Sequence, residues 1–128
     1  MSWNRIIIAT VTGFILLTSI AQTKELRVLS EDSLIIQGLL FDEYKAYENS
    51  RQVFAKLYDD TGAKEYLFRE MTSSLLSGKY IANSIKRLKS WDEQHPDTLE
   101  VKRLLIPLYL TNQQVNEAKK EAEYLIER

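Results

Sequence analysis

A fixed interval of 34 residues organises most of this chain. Stepping by 34 from Ser50 meets Ser84 and then Ala118, all small; stepping from Phe41 meets Leu75 and Tyr109, and from Leu57 Trp91 and Leu125, all large and apolar. Phe54 is followed by Leu88 and Ala122, Tyr47 by Ile81 and Val115, Gly38 by Thr72 and Ile106, and Gly62 by Pro96, with no insertion at any step. Self-similarity at a period of roughly 20 to 50 residues marks stacked repeats, in which each unit is too small to hide its own apolar face and hides it against the next.

Within each unit the spacing is helical. Leu34, Gly38 and Phe41 lie four and three apart and so share one face of a helix. Ser50, Phe54 and Leu57 do the same on a second helix, and Phe68, Thr72, Leu75 and Ser84, Leu88, Trp91 repeat the pair. Ser77-Gly78-Lys79 reads as the turn inside the second unit, while Asp59-Asp60-Thr61-Gly62 and His95-Pro96-Asp97 end one helix and open the next. Ser30 is the expected cap of the first helix, with Glu31 and Asp32 at its positive end. Asp97 with Glu100 three residues on has the form of a capping box. Only 4 glycines and 2 prolines among 128 residues argue against a turn-rich β fold. The expected fold is therefore all-α, three helix-turn-helix units over 31–64, 65–98 and 99–128.

Small residues let paired helices approach. Gly38 or Thr72 on first helices, and Ser50, Ser84 or Ala118 on second helices, are expected at the close contacts, with Phe54, Leu57, Leu88, Trp91 and Leu125 filling the space beside them.

With Leu34, Gly38, Phe41, Tyr47, Ser50, Phe54 and Leu57 in unit one, Phe68, Leu75, Ser84, Leu88 and Pro96 in unit two, and Leu105, Tyr109, Ala118 and Leu125 in unit three, residues 31–128 resemble the tetratricopeptide repeat family. The resemblance implies an α-solenoid that holds a peptide or helix of another protein in a concave groove lined by first helices. The matching positions are Ile35, Leu39 and Asp42, then Tyr66, Arg69 and Ser73, then Arg103 and Leu110. Their mixed apolar and charged character suits a few anchoring contacts. The family's carboxylate clamp is not matched, since Ile35, Leu39 and Ser73 stand at its places. Other departures are Lys102 for a large apolar residue, Ile106 for a small one, Leu57, Trp91 and Leu125 for a small alanine, and Pro107 inside a helix, where it is expected to remove a hydrogen bond and introduce a bend. The sequence runs thirty residues into unit three. Val115, Ala118, Ala122 and Leu125 form the expected inner face of its last helix, which either closes the array or is followed by further units of a longer one.

The first 21 residues read as an address. Arg5 precedes Ile6–Ala21, sixteen residues without charge, which is short for a spanning helix of about 20. The segment fits a secretory signal ending in Ser19-Ile20-Ala21, with cleavage expected after Ala21 and a short linker over 22–30; an uncleaved anchor, making the protein a membrane-tethered assembly factor, is the alternative. Both readings carry the repeats across the inner membrane into the periplasm, with membrane contact only through residues 6–21.

Little else suggests chemistry. Lys plus Arg is 17 and Asp plus Glu 18, so there is no basic field for nucleic acid. The absence of cysteine removes disulfides and thiolate sites, and the single histidine, His95, precludes a multi-histidine metal centre. No Gly-x-Ser-x-Gly and no glycine-rich phosphate loop occurs. Asp42-Glu43, Asp59-Asp60 and Asp92-Glu93 are expected as solvated helix ends, because neighbours on a helix diverge by about 100°. Lys86-Arg87-Leu88-Lys89 is expected as a solvated face with acidic neighbours. The reading is of a scaffold that binds another protein, with no catalytic residue, cofactor, metal or small-molecule substrate expected.

Overall fold

Short, locally encoded signals set where each helix starts and stops. In the computed structural model, residues 30–128 are described; the expected signal, its cleavage point and residues 22–29 of the linker lie outside them. Six helices follow in order: α1 Glu31–Glu43, α2 Tyr47–Thr61, α3 Lys64–Ser77, α4 Ile81–Gln94, α5 Leu99–Thr111 and α6 Val115–Ile126. Among the described residues there is no strand. Ser30 accepts a bond from the Ser33 N–H at 3.3 Å, as an N-cap does. Gly62 and Gly78 take left-handed backbone, φ 71° and 66°, and bond back to Tyr58 O and Ser74 O, ending α2 and α3. The expected cap at Asp97 is displaced by one residue. Thr98 precedes α5 without a side-chain cap bond, and its N–H reaches back to His95 O at 3.3 Å.

The helices recur in register. First helices end at 43, 77 and 111, and second helices begin at 47, 81 and 115, each a step of 34. The turns of hairpins one and three share their bonding. Lys45 and Gln113 are both left-handed, φ 57° and 60°, and the Ala46 and Gln114 N–H groups reach Phe41 O and Tyr109 O, both at 2.8 Å. The middle turn uses Gly78 and a left-handed Tyr80 instead. There Ser84 Oγ donates to Ser74 Oγ at 2.8 Å, and Ser74 Oγ donates to Lys79 O at 2.5 Å.

Small residues sit where helices meet, with one exception. Ser50, Ser84 and Ala118 are buried, and Ser50 Oγ lies 3.1 Å from Ser73 Oγ. Gly38 is buried against Phe54. Thr72, at the same phase as Gly38, is exposed; its hydroxyl donates to Phe68 O at 2.9 Å, a bond within its own helix that leaves it no contact role. The core runs from Leu67 and Met71 through Ile85, Leu88 and Trp91 to Val101, Leu105, Leu108 and Tyr109. Phe68 meets Trp91 edge-on at 5.9 Å. α5 continues through Pro107, and Thr111 Oγ1 donates back to Pro107 O at 2.8 Å. On α6 only Ala118 is fully buried; Val115, expected on the inner face, is 62 % exposed, whereas Ile81, which opens α4 at the same phase, is 8 % exposed.

Charges do more than the sequence suggested. Glu70, 1 % exposed, takes the Arg87 guanidinium at 2.9 and 3.0 Å, and Arg87 also donates to Asp59 at 2.8 Å, joining α2, α3 and α4. Lys102 stands where the first two units carry Leu34 and Phe68. It donates to Asp92 at 2.5 Å and lies 3.5 Å from Glu121, while its Nζ sits 5.2 Å from the Tyr124 ring centre. Asp59 and Asp92 are therefore interhelical ion-pair partners and do not simply solvate helix ends.

Candidate functional site

The first helices of the three units build one recess of about 540 Å³. α1 supplies Asp42 and α5 supplies Leu104. Phe68, Arg69, Thr72, Ser73 and Leu76 come from α3, at spacings of one, three and four that keep them on adjoining stripes of one helix. Tyr47, the first residue of α2, closes the side.

Polar groups in the recess are mostly engaged internally. Ser73 is buried and faces the Ser50 hydroxyl, and Thr72 bonds within its helix. Arg69 lies across the Phe54 ring, 5.5 Å from its centre, with its nearer nitrogen 3.8 Å from Asp42 Oδ2. That distance is beyond a hydrogen bond. With side chains 30 % and 53 % exposed, the pair contributes little by itself, at most about 1 kcal/mol. Asp42 Oδ1 is buried and has no hydrogen-bond partner. Leu76 is 56 % exposed at the recess edge.

Of the eight positions expected to line a groove, Asp42, Arg69 and Ser73 are brought together here. Ser73 is a wall rather than an open contact, since its hydroxyl turns to α2. Leu39 and Leu110 are exposed elsewhere, 41 % and 51 %, as is Arg103. Ile35 is half-buried, and Tyr66 stacks on Phe54 at 6.4 Å. By repeat phase Phe68 and Tyr47 read as packing residues and Thr72 as a close helix contact, so none of them signals a recess. Leu76 and Leu104 gave a usable signal, an extra apolar residue next to the core stripe of a first helix.

A second recess of about 460 Å³ lies between α4 and the α5–α6 turn, lined by Ile85, Lys86, Lys89 and Glu93 with Asn112 and Gln114. The basic run is therefore divided: Arg87 turns inward to Glu70, while Lys86 and Lys89 face solvent. His95 stacks on Trp91 at 4.0 Å, with Nδ1 3.0 Å from Trp91 O. Among the described residues no three His, Asp or Glu side chains gather as a metal ion needs, and no helix is long and apolar enough to cross a membrane.

Burial and ion pairing shift several titrations. Glu70 is pushed above the ordinary carboxylate range by burial, which the Arg87 hydrogen bond and charge offset only in part. Glu48 is held below it by its Arg51 hydrogen bond. Lys102 is drawn down by burial but raised further by Asp92 and Glu121, so it stays charged. None of these groups lines the recess. Comparison of the chain with protein-family models, with characterised proteins and with solved structures finds no match.

Proposed function

We propose that this chain is a non-catalytic protein–protein interaction scaffold: a tetratricopeptide-like α-solenoid of three repeats, exported and working in the periplasm, that holds a peptide or helix of another protein in the recess formed by its first helices. The observation that carries this reading is the composition of that recess. First helices of all three units and the start of α2 contribute to it, Tyr47, Phe68, Leu76 and Leu104 give it aromatic and aliphatic surface, and Asp42 and Arg69 bring opposite charges. Such a surface suits a few anchors with a polar rim. The groups whose titration shifts through burial or ion pairing, Glu70, Glu48 and Lys102 among them, sit away from the recess, which fits binding better than acid–base chemistry.

Site-specific photo-crosslinking tests it. A photoreactive residue placed at Leu76 in the producing cells should trap a discrete protein adduct, and one at Ala82, in the other recess, should not. Equal trapping at both positions, or none at Leu76, defeats the reading. The export component is tested by intact mass of the protein recovered outside the cytoplasm, expected to lack residues 1–21; recovery only from the cytoplasm overturns it.

A further inference from the structure

Resting on that docking reading, we infer that the occupant of the recess presents a lysine or arginine side chain to Asp42 and, within one helical turn of it, an aliphatic side chain to Leu76 and Leu104. Asp42 calls for the cation. Its Oδ1 is buried without a hydrogen-bond donor, and at Oδ2 the nearest cation stops at 3.8 Å. Arg69 is shared between that carboxylate and the Phe54 ring. Of the small hydroxyls lining the recess, Ser73 and Thr72 are already bonded to Ser50 and Phe68. The carboxylate is left short of donors, and a partly enclosed carboxylate gains most from a charged one.

The sign of the site follows from burial. Asp42 is 30 % exposed and Arg69 53 %, so Asp42 is the less screened of the two charges and the one an incoming group feels more strongly. An acidic side chain brought to this edge would meet a carboxylate that Arg69 compensates only loosely, from 3.8 Å. The aliphatic requirement comes from Leu76, over half exposed, and the half-buried Leu104, which line the same recess. Side chains three or four residues apart on a helix lie roughly 5–6 Å from one another. A volume of about 540 Å³ takes both at once.

The test is to pan a random twelve-residue peptide library, displayed on phage, against the immobilised full chain. Enriched sequences should carry Lys or Arg with Leu, Ile, Val or Met two to four residues away. The Kd of a synthetic consensus peptide should rise at least tenfold on Asp42→Asn and on Leu76→Ser, and change less than twofold on Ala82→Ser. Panning against Asp42→Lys should reverse the preference and enrich acidic sequences, provided its thermal melt matches the parent; this variant keeps the test decisive if Asp42→Asn alone fails to fold. Enriched peptides without a basic residue, bound through Leu76 but indifferent to Asp42→Asn, overturn this inference and leave the docking groove standing. Peptides indifferent to all the substitutions, or no enrichment, overturn the docking groove and this inference with it.

Discussion

Gly38 of α1 lies so close to the Phe54 ring of α2 that a Cβ at Gly38 would stand 2.8 Å from both Cε2 and Cζ, and 3.3 Å from Val53 Cγ1. The ring has nowhere simple to go. It is fully buried, with Tyr66 stacked at 6.4 Å and the Arg69 guanidinium at 5.5 Å. The glycine thus sets the spacing of the first hairpin and, through Phe54, the platform on which the recess residue Arg69 rests.

Gly38→Ala should therefore destabilise the protein despite adding a better helix former. Alanine gains about 1 kcal/mol of helix propensity, while overpacking a filled contact costs about 1–3 kcal/mol. The net expectation is a loss of roughly 1 kcal/mol, or about 4–8 °C in Tm for a domain near 100 residues. Adding Phe54→Leu should return part of it by vacating the contact. A Tm for Gly38→Ala at or above the parent's refutes the close-contact role.

Lys102→Met should cost roughly 2 kcal/mol, less than the 3–5 kcal/mol of a fully buried broken pair, although methionine matches the apolar residues of the other units. The lysine, Asp92 and Glu121 side chains are only 15 %, 14 % and 20 % exposed. Asp92 Oδ1 already lacks a partner, so removing the amine strands a half-desolvated carboxylate. Urea unfolding of Lys102→Met, Asp92→Asn and the double variant gives the coupling directly; additive losses would show that the pair is not energetically joined.

These two cases mark what the sequence discloses. Helix starts at 47, 81 and 115 follow from apolar spacing and turn residues within a few positions of each other, so local pattern suffices. The partners of Lys102 lie ten residues before it and nineteen after, and Arg69 faces an acid from α1. Nothing local reveals which carboxylate of a polar helix turns toward a neighbour. The resemblance puts Ser73 in the groove by its repeat position alone, yet Ser50 supplies it a buried partner from the facing helix. Leu76 and Leu104 are the opposite case: an apolar residue beside a core stripe can be further core or an open wall, and only packing decides which.

Lys45→Gly and Gln113→Gly should each stabilise slightly. Both residues hold positive φ at equivalent turn positions. Left-handed backbone costs an L-residue about 1–2 kcal/mol, against about 0.5–1 kcal/mol of extra chain entropy lost by glycine. The balance is a gain near 0.5 kcal/mol. Tyr80→Gly should give no such gain, since the Tyr80 ring carries the Arg51 guanidinium 4.0 Å from its centre. Equal shifts at all three positions in thermal melts would show that the stacking contributes nothing.

Glu70 and Glu48 should drive pH dependence in opposite directions. Burial raises the folded-state pKa of Glu70 above its ordinary 4.5, with Arg87 offsetting only part. The folded state then holds the proton more tightly than the unfolded chain. The resulting stability is fully present below the unfolded pKa and is lost as pH rises through the folded value. Glu48 behaves inversely. Its Arg51 hydrogen bonds, 2.8 and 3.0 Å, hold the pKa below 4.5 against the effect of burial, so its contribution is present above the unfolded pKa and is lost as pH falls through the folded one. Melting temperatures of the parent, Glu70→Gln and Glu48→Gln across the acid range should thus diverge. The parent's advantage over Glu70→Gln shrinks as pH is raised from about 4.5 upward, whereas its advantage over Glu48→Gln shrinks as pH is lowered from about 4.5. Parallel pH profiles for the two variants would mean that burial does not control Glu70 as its buried place on α3, against Arg87, requires.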